Sequence, residues 1–420
     1  MLNNIINKVN DITEELANDA IDLLRNMIKI PTENPPGLNY ERFVEYIGSF
    51  LKDLGYRIEI IEPSKEELPK LAPLGEGPRP NLIASLGYGN VKLLFNGHYD
   101  VVPAGSGWSV DPYSAEVIDG KVYGRGAADM KSGIAMQIYA VEVVRRLYPD
   151  IERKISIVHW IVNDEETVGN VNAGTGYLVD RGLLKGVNYV VFTEPSGYDT
   201  LYYGHRGALW GFIKLRGKKA HGGFPQLGID ATHACAQLIN KLYGLKAKFN
   251  SMISNYEIIP EAGKRPSIMV GTVRCGTWMN TVADECDLSF VRRLIPEEDL
   301  DNARKEIMDA VIEISRSTGV NYEYNEYYAI DTIIANKESE IANAFAWAIR
   351  QVLHREPRFA LSAGTFDMRF IVKAGLRDTV NYGPGRIEQA HATDEYVIID
   401  EFKTSIKIAA LAILRLLNII

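Results

Sequence analysis

The chain has 420 residues and a formal net charge of −8 at pH 7. That length exceeds what one hydrophobic core usually organises, so we expect two domains. An acidic chain lacks the basic surface that nucleic-acid binding requires, and 46% hydrophobic and 24% charged residues are typical of a soluble globular protein. The composition therefore predicts a soluble protein without a nucleic-acid partner.

The cysteines and the chain ends bear on where the protein works. Cys235, Cys275 and Cys286 are odd in number and lack paired or CxxC spacing, which predicts neither a disulfide framework nor a thiolate zinc site. The N-terminal segment contains acidic residues and no long apolar core, unlike a signal peptide. The apolar stretch 406–420 is too short to span a bilayer and is interrupted by charges, so we expect a core-packing helix. These features predict a cytoplasmic protein that does not bind membranes.

The predicted elements form an α/β fold that is interrupted by an insertion. Within residues 1–203, apolar strands alternate with amphipathic helices, which indicates layers around a largely parallel sheet. Residues 204–325 are instead predicted to form an α+β unit with an antiparallel sheet. Helices and short strands resume over residues 326–420 and end in a helix at 399–417. We therefore predict one domain built from both ends of the chain and a second domain inserted between them.

The insertion has its own predicted elements. Its strands are expected at 208–216, 267–274, 285–294 and 319–324. Its helices are expected at 230–243 and 297–316. In the flanking parts, helices are expected at 12–29, 40–54 and 132–147, and strands at 57–61, 81–86, 91–96, 155–162 and 187–192.

The segment LLFNGHYDVVP places His98 at the end of an apolar strand, two residues before Asp100. An extended backbone puts both side chains on one face, and ligands often lie beyond the carboxyl ends of strands. A metal-bound imidazole usually donates its other N–H to a carboxylate, which fixes its tautomer. Asp100 is therefore either that partner or a metal ligand itself.

Further carboxylates and a second histidine follow along the chain. Asp129 precedes a helix in GRGAADMKSG, Glu165 and Glu166 follow one apolar strand, Glu194 follows another, and His391 lies in the loop GPGRIEQAHATDEYV. Adjacent like charges repel unless a cation or solvent compensates them. Two histidines with four or more carboxylates suit Zn²⁺, Co²⁺ or Mn²⁺ better than Ca²⁺ or a metal that prefers thiolates.

Each motif taken alone also has a simpler explanation. A single His-x-Asp is usually a surface strand end, Asp129 is an ordinary helix N-cap, adjacent acids form solvated turns, and a lone histidine is more often a core residue than a ligand. A cap does not explain why the glycine-rich loop follows the His-x-Asp motif by about thirty residues. The motifs together favour a site.

In order and spacing, these five motifs resemble those of the co-catalytic zinc metallopeptidases and deacylases that include acetylornithine deacetylase, succinyl-diaminopimelate desuccinylase, aminoacylase and glutamate carboxypeptidase. The resemblance covers essentially the whole chain. It implies a zinc-exopeptidase-like catalytic domain, with a central mixed sheet flanked by helices, formed by residues 1–203 and 326–420. It also implies that residues 204–325 form a ferredoxin-like lid through which the protein is a homodimer.

The same resemblance implies two divalent metal ions per subunit, most often Zn²⁺, with Co²⁺ or Mn²⁺ as alternatives. One ion would be bound by His98, Asp129 and Glu194. The other would be bound by Asp129, Glu166 and His391, so Asp129 would bridge the two ions. Relatives often have a cis peptide just after the bridging aspartate.

Two more residues near the metals receive roles from the resemblance. Glu165 matches the general base, and Asp100 matches the carboxylate that orients His98. The implied reaction is hydrolysis of an amide by a metal-activated water, whose proton Glu165 accepts.

The inserted lid supplies the remaining matches. In GKKAHGGFPQLGIDA, His221 matches a histidine that stabilises the oxyanion, commonly in the partner subunit's site, although alone it would be an ordinary polar strand residue. Asn280 and Arg293 match groups that bind a substrate carbonyl or carboxylate, and Thr365 matches a loop near the substrate. The family often has an aspartate where this chain has Val291, which leaves open which of the two following arginines faces the substrate.

Among the substrates that the resemblance implies, the first choice is an N-acylated amino acid, such as an acetylated or succinylated diamino acid. A metallocarboxypeptidase or dipeptidase, which acts on a short peptide, shares every metal motif and stays an alternative. A non-catalytic binding protein on the same scaffold is a further alternative. The presence of Glu165 beside Glu166 speaks against it, because a binding protein does not need a free base.

Overall fold

A computed structural model describes residues 2–167 and 169–420, and the chain divides into two compact units. The first unit contains the residues up to Gly204 together with Ile334–Ala360 and Phe366–Ile420. The second unit contains His205–Ile333 and the short segment Leu361–Thr365.

The regular elements are numbered in chain order. The helices are α1 (Leu2–Ile28), α2 (Tyr40–Asp53), α3 (Leu68–Leu71), α4 (Ser132–Leu147), α5 (Thr175–Asp180), α6 (Ala231–Asn250), α7 (Leu300–Thr318), α8 (Glu340–Leu353), α9 (Met368–Lys373) and α10 (Ile399–Leu416). The strands are β1 (Arg57–Ile61), β2 (Asn81–Leu86), β3 (Val91–His98), β4 (Val117–Ile118), β5 (Lys121–Tyr123), β6 (Ile155–Val162), β7 (Tyr189–Phe192), β8 (Thr200–His205), β9 (Gly207–Arg216), β10 (Ile258–Ile259), β11 (Ser267–Cys275), β12 (Glu285–Leu294), β13 (Asn321–Ile330), β14 (Ile333–Ile334), β15 (Arg358–Ser362), β16 (Thr379–Asn381) and β17 (Tyr396–Ile398).

The first unit is organised by a mixed sheet with the order β1-β2-β6-β3-β7-β16-β8-β15. Its centre is parallel, because β3 pairs in parallel with both β6 and β7, and β7 pairs in parallel with β16. The edge strands β1 and β2 run antiparallel. Strands that are buried on both faces need continuous apolar runs, and β3 and β6 have them. The predicted central mixed sheet is confirmed.

Helices of the first unit bury their apolar faces in one core. Helix α4 packs against α1 and α10, and α10 packs against α8. Helix α10 is buried along most of its length, so the predicted core helix at 399–417 is confirmed. Helix α1 begins at Leu2, earlier than predicted, because Ile5, Ile6 and Val9 continue the apolar spacing towards the N-terminus. No helix in the described ranges is long and apolar enough to cross a membrane.

The second unit has an antiparallel sheet with the order β11-β12-β9-β13. The connection from β9 to β11 contains α6 and the short strand β10. Helix α7 connects β12 to β13. This βαββαβ arrangement is ferredoxin-like, as predicted. Both helices are N-capped by aspartates, Asp230 and Asp299, whose side chains accept backbone N–H groups of the first turn.

Two predictions about the second unit need correction. The boundary predicted after residue 325 cuts through β13, which pairs with β9 as far as Ile330. The cysteines are also not all unpaired, because Cys275 and Cys286 form a disulfide. These residues face each other on β11 and β12. A pairing set by strand register is invisible in sequence spacing.

One buried histidine in the first unit makes stability depend on pH. His159 lies in β6 with no exposed surface, stacked on Phe95 with ring centroids 5.5 Å apart. Burial lowers the pKa of His159 from 6.5 to about 3. Folding therefore selects the neutral imidazole, and the unfolded chain accepts a proton over a pH range in which the folded chain does not.

We expect the free energy of unfolding to decrease as the pH falls below 6.5 towards 3. The slope from this single proton is about 1.4 kcal/mol per pH unit, and above pH 6.5 both states are neutral, so the slope vanishes. His159→Phe should remove this component. The free energy of unfolding of the wild type and of His159→Phe, measured by urea denaturation at several pH values in the presence of a metal chelator, gives the difference. Identical pH dependence of the two proteins would contradict the prediction.

Candidate active site

The predicted site residues of the first unit lie at one edge of its sheet. Strands β3, β6 and β7 are mutually parallel, so their carboxyl ends meet at that edge. His98 is the last residue of β3, Glu165 and Glu166 follow β6, and Glu194 follows β7. Asp129 lies in the turn before α4, and its peptide bond to Met130 is cis, as the resemblance implied.

Asp129 stands between two histidines. Its Oδ1 lies 3.2 Å from His98 Nε2, and its Oδ2 lies 3.6 Å from His391 Nε2. On the first side, Glu194 Oε2 is 3.5 Å from His98 Nε2, and on the second side Glu166 Oε2 is 2.9 Å from His391 Nε2. Within each group of three residues, one ligand atom from each lies within 4.8 Å of the others. One carboxylate thus belongs to both groups.

The orientation of His98 differs from the prediction in one respect. Its Nδ1–H donates to the backbone carbonyl of Asp100 at 2.8 Å, whereas the Asp100 carboxylate lies 3.6 Å from Nδ1. The carbonyl rather than the carboxylate therefore orients the ring. Donation by Nδ1 leaves Nε2, which faces Asp129 and Glu194, as the nitrogen that would bind a metal.

The Asp100 carboxylate is used elsewhere. It accepts hydrogen bonds from the backbone N–H groups of Glu165 at 3.3 Å and Glu166 at 3.1 Å, and from Asn34 Nδ2 at 2.9 Å. These bonds hold the turn that carries the two glutamates. Nothing in the sequence indicates this role for Asn34, since a single asparagine in a proline-rich loop carries no signal of its own.

The first acid of the Asp-Glu-Glu run is structural. Asp164 has a left-handed backbone with φ 56° and is buried. Its carboxylate accepts from Asn34 Nδ2 at 2.8 Å and pairs with Arg79 Nε at 3.0 Å. Burial outweighs the charge of Arg79 and raises the pKa of Asp164 to about 7. The pair fixes the turn from behind, and Arg79 was also missed from the sequence.

The electrostatics of the two groups tests whether cations fit them. Burial raises the pKa of Glu194 to about 7 and also raises the pKa of Glu166, which the Asp129 charge increases further. Within the described ranges, the buried Oε1 of Glu166 has no hydrogen-bond partner. Carboxylates crowded out of water in this way are stabilised by a divalent cation, and the imidazole and carboxylate donors match the ions predicted from the sequence.

Glu165 lies beside the two groups but in neither of them. It is 7% exposed, and its Oε2 is 3.9 Å from His98 Nε2. Burial raises the pKa of Glu165 well above its ordinary value, and the charge of Glu194 adds to this effect. A carboxylate with a raised pKa next to a metal site is chemically suited to accept a proton and return it.

In the second unit, His221 and Asn280 lie together. His221 forms a β-bridge with Thr281, and the neighbouring Gly222 donates its N–H to the Asn280 carbonyl at 3.0 Å. The His221 side chain is exposed, and its Nδ1 accepts the N–H of Gly223 at 3.0 Å. The histidine and the amide thus belong to one surface of that unit. Thr365 belongs to the same unit, in the segment 361–365.

The structure also separates the two adjacent arginines. Arg292 is fully buried and pairs with Glu298 and with Glu306. The guanidinium of Arg293 lies 4.9 Å from the centre of the Trp210 ring, and its buried Nη1 has no hydrogen-bond partner within the described ranges. Arg292 is therefore paired with carboxylates inside the unit, whereas the described residues include no carboxylate partner for Arg293.

Comparison with known proteins agrees with this geometry. The profile of the family described as Peptidase family M20/M25/M40 matches residues 94–415. A succinyl-diaminopimelate desuccinylase from Polynucleobacter necessarius subsp. necessarius (strain STIR1) is 30% identical over 74% of this chain and 78% of its own. Another, from Hydrogenovibrio crunogenus (strain DSM 25203 / XCL-2), is 28% identical over 95% of this chain and 99% of its own.

Solved structures share the fold. The M20 family metallo-carboxypeptidase Sso-CP2 from Sulfolobus solfataricus has a TM-score of 0.76 and 22% identity, over 96% of this chain and 99% of its own. Human carnosine dipeptidase 1 has a TM-score of 0.74 and 20% identity, over 98% of this chain and 100% of its own.

Proposed function

Because this chain belongs to peptidase family M20/M25/M40, we propose that it is a metal-dependent deacylase that cleaves the amide bond of N-acylated amino acids. The chain is a hydrolase of amide bonds, as its family is. The substrate class is supported by relatives named for the removal of a succinyl group from a diamino acid. The observation that carries the proposal is the single carboxylate shared by two three-residue groups, with Glu165 left outside both.

We assign His98, Asp129 and Glu194 to one divalent ion and Asp129, Glu166 and His391 to a second. Zinc is the first choice for both, with cobalt or manganese as alternatives, since nitrogen and carboxylate ligands suit all three. When bound, the two ions supply Lewis-acid activation of a water molecule and of the scissile carbonyl. Asp100 serves this site twice, through its carbonyl to His98 and through its carboxylate to the turn that carries Glu166.

Glu165 is the proposed general base. It accepts the proton that the attacking water loses and then donates that proton to the leaving nitrogen as the amide bond breaks. Burial raises the pKa of Glu165, which makes its carboxylate a better proton acceptor, and the carboxyl group so formed is the proton donor for the basic leaving nitrogen. The backbone N–H of Glu165 donates to Asp100, which holds in place the turn that carries the Glu165 side chain.

The second unit supplies the proposed substrate contacts. We assign His221 to stabilise the oxyanion, in the site of a partner subunit. Asn280 lies next to it and is assigned to a substrate carbonyl, and Thr365 to the same substrate. Arg293 is assigned to the substrate's α-carboxylate, which guanidinium groups bind in bidentate fashion. A homodimer through this unit is consistent with the exposed edge strand β11 and the exposed Trp278 that follows it.

A substrate panel tests the function. The metal-replete protein, loaded with Zn²⁺ or Co²⁺, is assayed with N-succinyl and N-acetyl diamino acids, N-acetyl neutral amino acids and dipeptides. We expect the N-acylated amino acids to have kcat/KM values at least tenfold above those of the peptides. Faster hydrolysis of peptides would make the protein a carboxypeptidase or dipeptidase. If every substrate is inert while two ions are bound, the protein is a binding protein instead.

Glu165→Gln separates proton transfer from metal binding. The substitution keeps the size of the side chain and leaves both groups of three ligands intact, so the metal content should be unchanged. Loss of a general base should reduce kcat by about 100- to 10,000-fold. Near-normal turnover by a metal-replete variant would contradict the assignment.

A second variant, His221→Ala, in combination with the Glu165→Gln protein, tests the contribution of the second unit. His221→Ala should also reduce turnover without metal loss. If His221 serves the partner's site, subunit exchange between His221→Ala and Glu165→Gln dimers should restore part of the activity. Each mixed dimer then contains one site that has both Glu165 and His221. Mixed dimers, verified by mass spectrometry, that show no recovery would place both groups in the site of one chain.

A further inference from the structure

Glu395 is a fully buried carboxylate that no step above uses. It follows His391 by four residues, yet its side chain reaches the segment that precedes Asp129. Its Oε1 accepts the backbone N–H groups of Ala128 at 2.8 Å and Asp129 at 2.9 Å. The N–H of a proposed metal ligand is thus held directly by this carboxylate.

The other oxygen completes the arrangement. Glu395 Oε2 accepts the N–H of Gly126 at 3.1 Å and is paired with Arg125 Nη1 at 2.6 Å. The backbone donors of Gly126, Ala128 and Asp129 thus converge on one carboxylate, and Gly126 adopts φ 86° in this turn. Such charge-assisted bonds are shorter and stronger than neutral ones.

Arg125 extends the connection to the other loop. Its guanidinium also donates to the backbone carbonyls of Ala392 at 3.2 Å and His391 at 3.4 Å. The backbone of Glu395 itself accepts the N–H of Gly124 at 2.9 Å. The Glu395–Arg125 pair therefore ties the loop of Asp129 to the loop of His391, two loops that are far apart in sequence.

We propose that Glu395 is a positioning residue that sets the separation between Asp129 and His391. This inference rests on the proposed metal assignment. His98 and Glu194 are placed by strand ends, and among the described residues the hydrogen bonds of the Glu395 carboxylate go to the loop 125–129 instead. Loss of that carboxylate therefore weakens the ion bound by Glu166 and His391 more than the ion bound by His98 and Glu194.

The test is a double-mutant cycle of Glu395→Gln and His391→Ala, in which each protein is stripped of metal and titrated with Zn²⁺ in a calorimeter. His391→Ala first identifies the binding step that depends on His391. Glu395→Gln places an amide donor against backbone donors, and it should weaken that step at least tenfold. In the His391→Ala background, the same substitution should change the affinity of the remaining ion by less than threefold, because the spacing no longer matters.

Several controls separate positioning from a general structural role. Glu142→Gln removes another carboxylate–arginine contact of the first unit, with Arg145 on α4, and should leave both binding steps unchanged. The melting temperature of metal-free Glu395→Gln reports whether the chain folds. If it does not fold, Arg125→Gln, which leaves the backbone bonds of Glu395 in place, should show a smaller weakening of the same step.

The outcomes are distinct. Equal weakening of both ions by Glu395→Gln, or no weakening of either, would overturn the positioning role while the wild type still binds two ions. The positioning role would also be overturned if Glu395→Gln weakened Zn²⁺ binding by the same factor in the His391→Ala background as in the wild type. A wild type that binds fewer than two ions would instead overturn the metal assignment of the proposed function, and the positioning role with it.

Discussion

The structure of the first unit is shaped by a conflict between charge and burial at one edge of its sheet. Parallel strands deliver buried carboxylates to the same place, and Asp129 directs its two oxygens at two different histidines. Buried like charges without compensation are costly, which the raised pKa values of Glu166 and Glu194 express. A pair of divalent cations would resolve this conflict, so the fold and the proposed chemistry require the same ions.

A second set of buried groups keeps this arrangement in place without belonging to it. Asp100 and Asp164 hold the turn of the two glutamates, and Glu395 holds the segment that ends in Asp129. Each of these carboxylates hydrogen-bonds backbone N–H groups, asparagine or arginine, so each charge is compensated locally. Loops joined to strand ends by such bonds give the ligands a defined geometry, which catalysis requires.

The sequence predicted the parts of the site that follow from strand ends. His98 and Glu194 were predicted as ligands because ligand-type residues terminate apolar runs, and the structure brings the two side chains together. The inserted unit was predicted because its strand and helix periods are regular. The supporting groups were not found. Asn34 and Arg79 act through contacts across more than sixty residues of chain, and nothing in their local sequence indicates such a partner.

Other differences have the same origin. The Asp100 carbonyl, rather than its side chain, orients His98, and side-chain patterns say nothing about backbone carbonyls. The Cys275–Cys286 pairing depends on the register of two strands, which residue spacing does not specify. Tertiary contacts and strand register are therefore what the sequence pattern leaves undetermined, whereas the periodicity of the elements is well encoded.

In the proposed metal centre, Asp129 belongs to two metal sites at once. Calorimetric titration of Zn²⁺ into metal-stripped Asp129→Asn, compared with the wild type, tests this claim most directly. The wild type should bind two ions per chain, and the substitution should weaken both binding steps, since each ion loses the charge of a shared ligand. A variant in which one step is weakened and the other keeps its wild-type affinity would contradict the account.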